Sequence, residues 1–405
     1  MSKKPLIIII STALGILLIG LLGYYFLIQG GGVGGEKDPT GKNFFPLGGD
    51  GGPTTPGGGP TTPGGGPAKP TNFTQKLRQL SAEPVAGAGV LDVKAGTLVR
   101  YIEKATGHIF EVELFSPNRS RVSNTTIPVV YDAIWGSRNN ALVARYLKED
   151  NQTIDTYSLI IKATSTTTDN VISGIAFPSG ISDLSVLGDS IFYLVRGENG
   201  STGYTSNFSQ GNRKQVWLSP INELLSQYVN QRTVALTTKP ASGVPGFMYF
   251  VDTGNGNVKK VLGNVPGLSA LSNDLGTQLV VLKQSTNALM SLYDIKSNTY
   301  SALTPATFPE KCVWSKKDRD VVYCAVPRSS IGGGSLTAWY QGYASFTDDI
   351  WQYNLKNNIA VVIENLSENA GQSIDVEKPL LSENEQYLIF MNKIDNTLWS
   401  LDLTK

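Results

Sequence analysis

Trp314-Ser315-Lys316-Lys317-Asp318-Arg319-Asp320 runs directly into Val321-Val322-Tyr323, and this stretch decides the fold. A large apolar residue ends one extended segment, a short polar turn follows, and a β-rich apolar segment begins about seven residues on. The same unit recurs along the chain. Trp135-Gly136-Ser137-Arg138-Asn139-Asn140 leads into Ala141-Leu142-Val143, and Leu381-Ser382-Glu383-Asn384 leads into Tyr387-Leu388-Ile389-Phe390. Leu184 to Asp189 leads into Ile191-Phe192-Tyr193, Leu271 to Asp274 into Leu279-Val280-Val281-Leu282, and Leu91-Asp92-Val93 into Leu98-Val99-Arg100-Tyr101. Each unit continues into a second alternating segment, such as His108 to Val112, Thr156 to Ile160, Leu292 to Ile295, Ile350 to Leu355 or Leu398 to Leu401. A seventh unit holds Thr233 to Leu236, Phe247 to Val251, and a strand after an Asn255-Gly256 turn.

The anchors fall near positions 91, 135, 184, 239, 271, 314 and 381. Their mean spacing is about 48 residues, which matches the ~40–50 residues of a four-stranded propeller blade. Sheets repeated in this way close radially and remove most exposed edges. A TIM barrel would need helices between the strands, and a two-sheet sandwich would need fewer strands. The expectation is an all-β, seven-bladed β-propeller over residues 73–405. Pro220 to Tyr228, with Leu224 and Leu225, reads as its best short-helix segment.

Trp314-Ser315-Lys316-Lys317-Asp318 through Tyr323 resembles the W-S-P-D-G-x-x-I-x-F motif of WD40-like propellers of the TolB type. The resemblance extends over most of the chain from Phe73, although most copies lack the Pro and the turn Gly. It implies an extracytoplasmic protein-binding platform. Together with the N-terminal segments it also resembles membrane-anchored bacterial envelope proteins.

Those segments set the expected compartment. After a short tip (residues 1–5) with Lys3 and Lys4, an uncharged run from Leu6 to Ile28 closes on Tyr24, Tyr25 and Phe26. A helix rising ~1.5 Å per residue crosses a ~30 Å hydrocarbon core in about 20 residues, so the run reads as a transmembrane anchor. A signal peptide would have a shorter apolar region and a small-residue cleavage site. The lysines keep the tip cytoplasmic and place the rest of the chain outside. Residues 29–72 carry two copies of Gly-Gly-Pro-Thr-Thr-Pro-Gly, at Gly51–Gly57 and Gly58–Gly64, and read as a flexible tether.

The net charge of +1 argues against a nucleic-acid partner reached by bulk electrostatics. The single histidine, His108, lies on an apolar strand without a catalytic motif around it, which disfavours Ser-His-Asp and Cys-His chemistry. Asp252 to Asn257 has Gly where a calcium loop needs an oxygen ligand, and reads as a hairpin turn. Neither a metal nor another cofactor is expected. Two aromatic-rich segments, Arg196 to Arg213 and Pro327 to Asp349, read as insertions between the second and third strands of their blades. Trp339, Tyr340, Gln341, Tyr343, Phe346, Tyr204 and Phe208 are therefore the candidate binding residues. Loops on a rigid scaffold commonly carry binding; the other reading is a lid folded onto the blades. Folding the hairpin about Asp318 sets Cys312 opposite Cys324, close enough for a disulfide in an oxidising compartment. Two reduced, buried thiols are the alternative.

The functional expectation is a tethered, non-catalytic binding or scaffolding module for an envelope protein or glycan. The alternative is a glycan-active enzyme using channel carboxylates, with Asp348 or Asp349 as one acid. One further expectation concerns closure. The chain ends soon after Leu398 to Leu401, which leaves the last blade without an outer strand. Leu77 to Ser81 is therefore expected to pair with Thr397 to Leu403.

Overall fold

The computed structural model describes residues 74–405 apart from 124, 137 and 163–169. The anchor at 6–28 and the tether at 29–72 lie outside the described residues. Among the described residues, no helix is long and apolar enough to cross a membrane.

Seven antiparallel four-stranded sheets follow one another along the chain. After β1 (Leu77–Gln79), blade 1 comprises β2 (Val85–Val93), β3 (Gly96–Glu103), β4 (Ile109–Glu113) and β5 (Arg119–Ser123). Blade 2 comprises β6 (Val130–Trp135), β7 (Ala141–Leu147), β8 (Ile154–Lys162) and β9 (Val171–Ala176). Blade 3 comprises β10 (Ile181–Leu187), β11 (Ser190–Gly197), β12 (Gly200–Asn207) and β13 (Lys214–Ser219). Blade 4 comprises β14 (Leu224–Asn230), β15 (Thr233–Thr238), β16 (Pro245–Asp252) and β17 (Val258–Pro266). Blade 5 comprises β18 (Ser269–Ser272), β19 (Gln278–Gln284), β20 (Ala288–Asp294) and β21 (Thr299–Leu303). Blade 6 comprises β22 (Cys312–Trp314), β23 (Val321–Pro327), β24 (Asp348–Asn354) and β25 (Ile359–Glu364). Blade 7 comprises β26 (Val376–Leu381), β27 (Tyr387–Asn392) and β28 (Leu398–Asp402), with β1 as its outer strand.

The recurring sequence unit is the hairpin between the first two strands of each blade. The second strand is sandwiched between neighbouring sheets and buries both of its faces, so it reads as an unbroken apolar run. Ile191 to Leu194 and Leu279 to Leu282 show this, each with all four residues wholly buried. In blade 6 the Ser315 hydroxyl accepts the Asp318 N–H at 2.9 Å and fixes the polar turn. Glu385, in the matching turn of blade 7, accepts the Lys316 and Lys317 N–H groups at 2.6 and 2.9 Å, so adjacent turns are stitched together.

The ring closes as the sequence implies. Leu77, Arg78 and Gln79 lie opposite Leu401, Ser400 and Trp399, and the Leu80 N–H donates to the Leu398 carbonyl at 2.7 Å. Leu77 and Leu80 are buried, so closure also adds to the core. Cys312 and Cys324 are directly opposed, 4.0 Å apart at Cα, and form a disulfide. The Asp252 turn behaves as a hairpin, its Oδ1 accepting the Gly254 and Asn255 N–H groups, with Gly256 at φ +77°.

Two expectations are corrected. The segment expected as a helix, Pro220 to Tyr228, instead supplies β14, the inner strand of blade 4. Its Leu224, Tyr228 and Val229 bury between sheets, so packing overrides the helix-like spacing. The blade 4 turn accordingly lies between Asn230 and Thr233 rather than near 239. Arg196 to Arg213 is likewise no insertion. It contains the tight turn after β11 and the whole of β12, which pairs along its full length with β11.

Candidate functional site: a lidded face and an open channel

The segment joining β23 to β24 is the true insertion, and it is folded down. Its helix Ser335–Tyr340 buries Leu336 and Trp339, and Phe346 follows them into the core beside Phe308. Trp339 and Phe346 rings sit 5.3 and 5.5 Å from the Phe308 ring. Polar contacts spread the insertion over several blades. The Ser242 N–H, between β15 and β16, donates to Thr337 Oγ1 at 2.8 Å, and Gln284 of β19 accepts the Leu336 N–H at 3.0 Å.

A buried charge cluster seats this lid. Lys311, at the end of the one-turn 3₁₀ helix Pro309–Lys311, contacts both Asp348 and Asp375, and all three side chains are sealed from solvent. Asp375 also accepts the Trp339 indole N–H at 3.1 Å and the Phe346 N–H at 3.0 Å. Asp348 accepts the Val376 N–H at 2.7 Å. Burial pushes Asp348 up to about 6, against the lowering influence of Lys311. Beside it, Tyr340 donates to Glu310, which also accepts the Ser269 hydroxyl at 2.5 Å. Burial raises both Tyr340 and Glu310, and Asp183 on β10 adds to the effect on Tyr340.

The expected binding residues therefore separate. Trp339 and Phe346 are core, Tyr340 is half-buried, and Gln341 and Tyr343 remain outside, Tyr343 at 85% exposure. Tyr204 lies within β12, stacked on Tyr193 with centroids 5.5 Å apart and covered by Arg213. Phe208 is buried, its carbonyl accepting the Ser158 hydroxyl. The structure does not bring Tyr204 and Phe208 together with the lid, because both belong to blade 3. Asp348 and Asp349, considered as catalytic acids, are held by Lys311 and by Arg328, the latter at 2.9 Å. His108 is half-buried and lies 3.1 Å from the Thr126 hydroxyl.

A second cluster, absent from the sequence reading, lies among the inner strands. A cavity of about 470 Å³ is lined by β2, β6, β10 and β26 and by the turn residues Gly136, Gly188, Lys316 and Glu383. Its charged members are Asp132, Arg145, Asp183 and Lys378 on the strands, with Lys316 and Glu383 in the turns. Lys378 sits at φ +50°, where β26 breaks register between Glu377 and Leu380. A non-glycine residue held there costs about 1 kcal/mol or more. The distortion aims its ammonium past blade 1, where it donates to the Ala86 carbonyl at 3.0 Å, to the Asp132 carboxylate of blade 2. Burial lowers Lys378, but Asp132 outweighs it and the net shift is upward. Asp132 also faces Arg145 at 4.0 Å. Asp183 accepts both the N–H and the hydroxyl of Ser226 at 2.6 Å, tying blade 3 to blade 4. Burial pushes Asp183 up to about 6, with Ser226 and Arg145 opposing and Asp132 reinforcing. The available signal was a charge three positions before the anchor, as in Asp132 before Trp135 and Lys378 before Leu381. Among the described residues, no group of three or more His, Cys, Asp or Glu side chains is placed to hold a metal.

No family model matches this chain, and no curated protein matches it. Solved structures do. An oligogalacturonate lyase from Vibrio parahaemolyticus is 9% identical, with 82% of this chain and 95% of that one covered at a TM-score of 0.51. The likeness is one of fold. An oligogalacturonate lyase in complex with manganese is 12% identical over 80% of this chain and 98% of that one, at 0.46. TolB from Acinetobacter baumannii is 12% identical over 78% of this chain and 63% of that one, at 0.39.

Proposed function

We propose that this protein is a non-catalytic binding propeller, tethered outside the cytoplasmic membrane by the run Leu6 to Ile28 and the Gly/Pro segment that follows. Its ligand, an envelope glycan or protein, is received at the turn-side mouth of the central channel. The contrast between the two ends of the inner ring carries the reading. The insertion face is folded shut by a buried core and a sealed ion cluster, whereas the cavity still reaches the turn residues at the other end. The carboxylates Asp132, Asp183, Asp348, Asp349 and Asp375 each hold a blade or the lid in place. Such engagement favours binding over acid–base work, which needs a group free to exchange a proton with substrate.

The two native cysteines are disulfide-bonded, so a single introduced thiol can be labelled selectively. Glu383→Cys places it at the channel mouth and Tyr343→Cys places it on the lid face. Each variant is coupled to a maleimide–polyethylene glycol and compared by crosslinking on intact cells. Loss of capture only at Glu383 supports the reading, and loss only at Tyr343 overturns it. Release of the propeller by protease added to intact cells tests the membrane placement; retention of an uncut chain there would refute it.

A further inference from the structure

The outer strand of each blade leaves one backbone edge unpaired, and such an edge invites another strand. Most outer strands carry a guard against this. Arg119 and Arg121 are exposed on β5, Lys214 on β13, and Lys259 and Lys260 on β17. β21 presents Thr299, Tyr300 and Ser301, and β9 is exposed only at its two ends. The outer strand of blade 6 differs. β25 reads Ile359-Ala360-Val361-Val362-Ile363-Glu364, and its Ile359, Val361 and Val362 are 53%, 46% and 45% exposed. Among the described residues, no strand pairs with its outer edge. A short β-branched run without charge, Pro or Gly is the composition that adds most readily to another strand.

Both the extent and the charge of this edge are bounded. The ladder to β24 shifts register just past Val362, and Glu364 beyond it is engaged by Lys76 at 3.1 Å. The same ammonium donates to the Ile363 carbonyl at 2.9 Å. The free ladder is therefore Ile359 to Val362, and no charge lies on it.

Four uncharged residues offer a charged partner nothing to recognise, but they suit their own copy. Two edges related by a two-fold run antiparallel and present one patch twice. Each side chain keeps its face of the sheet under that rotation, so the axis passes through a residue that opposes itself. An axis through Val361 sets Ala360 opposite Val362 twice, small against large on one face, with valine against valine on the other. No like charges meet, and the net charge of +1 leaves little repulsion between whole copies. A ladder this short buries well under the ~1,200 Å² of a stable complex, so it pairs weakly when free and gains from confinement on one membrane.

We propose that β25 is a self-association edge, at which two copies of this chain join blade 6 to blade 6 in an antiparallel ladder centred on Val361. The proposal goes beyond the channel reading and takes from it only the tether, which supplies the confinement. The native cysteines are bonded to each other, so an introduced thiol reacts alone. Val361→Cys meets its own copy at the axis, where opposed Cα atoms stand about 4.5–5.5 Å apart, within disulfide reach. Leu218→Cys, on the outer strand of blade 3 and 74% exposed, reads random encounter. The full chain is reconstituted in phospholipid vesicles, recovered by flotation and treated with a mild oxidant. Val361→Cys is expected to form covalent dimer roughly tenfold faster than Leu218→Cys. Adding Val362→Lys puts charge on the ladder and is expected to return the rate to the Leu218→Cys level, with Ile359→Lys in its place if that variant melts early. Equal rates for the two thiols, or a dimer indifferent to the lysine, overturn the proposal. So does a dimer that appears only after residues 41–48, with Phe44 and Phe45, are deleted, since the tether would then be the occupant. A chain that does not float with the vesicles fails the membrane reading instead, and the same oxidation in concentrated detergent solution then decides the pairing.

Discussion

Lys311 and Lys378 each meet carboxylates contributed by other parts of the ring, yet the surroundings give them different roles. Lys311 is sealed with Asp348 and Asp375 under the lid, with no solvent access to any of the three side chains. Lys378 keeps 40% of its side-chain surface and faces Asp132 at 18%. The same pairing is structural in the first place and open to exchange in the second. Loss of the lysine from the buried cluster is penalised, because the two buried carboxylates lose their compensating charge. A hydrated pair loses little, because water replaces the partner.

Removing the lid should have the largest effect. The segment Ser329 to Phe346 carries Leu336, Trp339 and Phe346 into the blade 5–6 core. Its deletion should cost about 5 kcal/mol or more, since truncating a single buried Trp or Phe costs about 3–5 kcal/mol. Chemical denaturation reads the loss; an unchanged midpoint would show that the insertion is a surface appendage and dissolve the contrast between the two ends. Lys311→Met comes next, at about 3–5 kcal/mol, because it leaves two buried carboxylates facing each other. Lys378→Met should cost only about 1 kcal/mol in the same assay. Equal losses at the two lysines would mean that solvent does not reach the channel.

Legibility in the sequence followed the same division. Closure by β1 was readable because Leu77 and Leu80 repeat the spacing of an outer strand, and the Cys312–Cys324 register followed from symmetry about Asp318. Second strands were readable because burial on both faces demands continuous apolar runs. The strand β12 was hidden, since Ser201 to Asn207 contains no aliphatic side chain and takes its stability from its neighbours. In β14, Leu224 and Tyr228 stand four apart and imitate a helix face. The fate of the insertion was undecided because exposed and buried aromatics share one composition. Its seat, Lys311, is an unremarkable lysine until Asp375 arrives from 64 residues away. The channel cluster was scattered likewise, one charge per strand, so no local motif could announce it.

The smallest expected effect tests the open end by titration. Asp183 has an ordinary value of 3.8 and titrates at about 6 when folded, because burial outweighs Ser226 and Arg145. The folded chain therefore binds this proton more tightly than the unfolded chain does. Stability is favoured below pH 4, falls as the pH rises from about 4 to 6, and carries a constant penalty above that. Two units correspond to nearly 3 kcal/mol in full, but Asp183 is only half-buried, and screening reduces the expectation to about 1 kcal/mol. Asp183→Asn keeps an oxygen for Ser226 and removes the charge. The variant should therefore be more stable than the wild type by about 1 kcal/mol at pH 7.5, with the difference closing below pH 4. Denaturation midpoints across pH 3.5–8 measure it. A variant less stable at pH 7.5 would mean that Arg145 holds the Asp183 carboxylate as firmly as Lys311 holds its partners, and the channel would then belong with the lid as a sealed structural cluster.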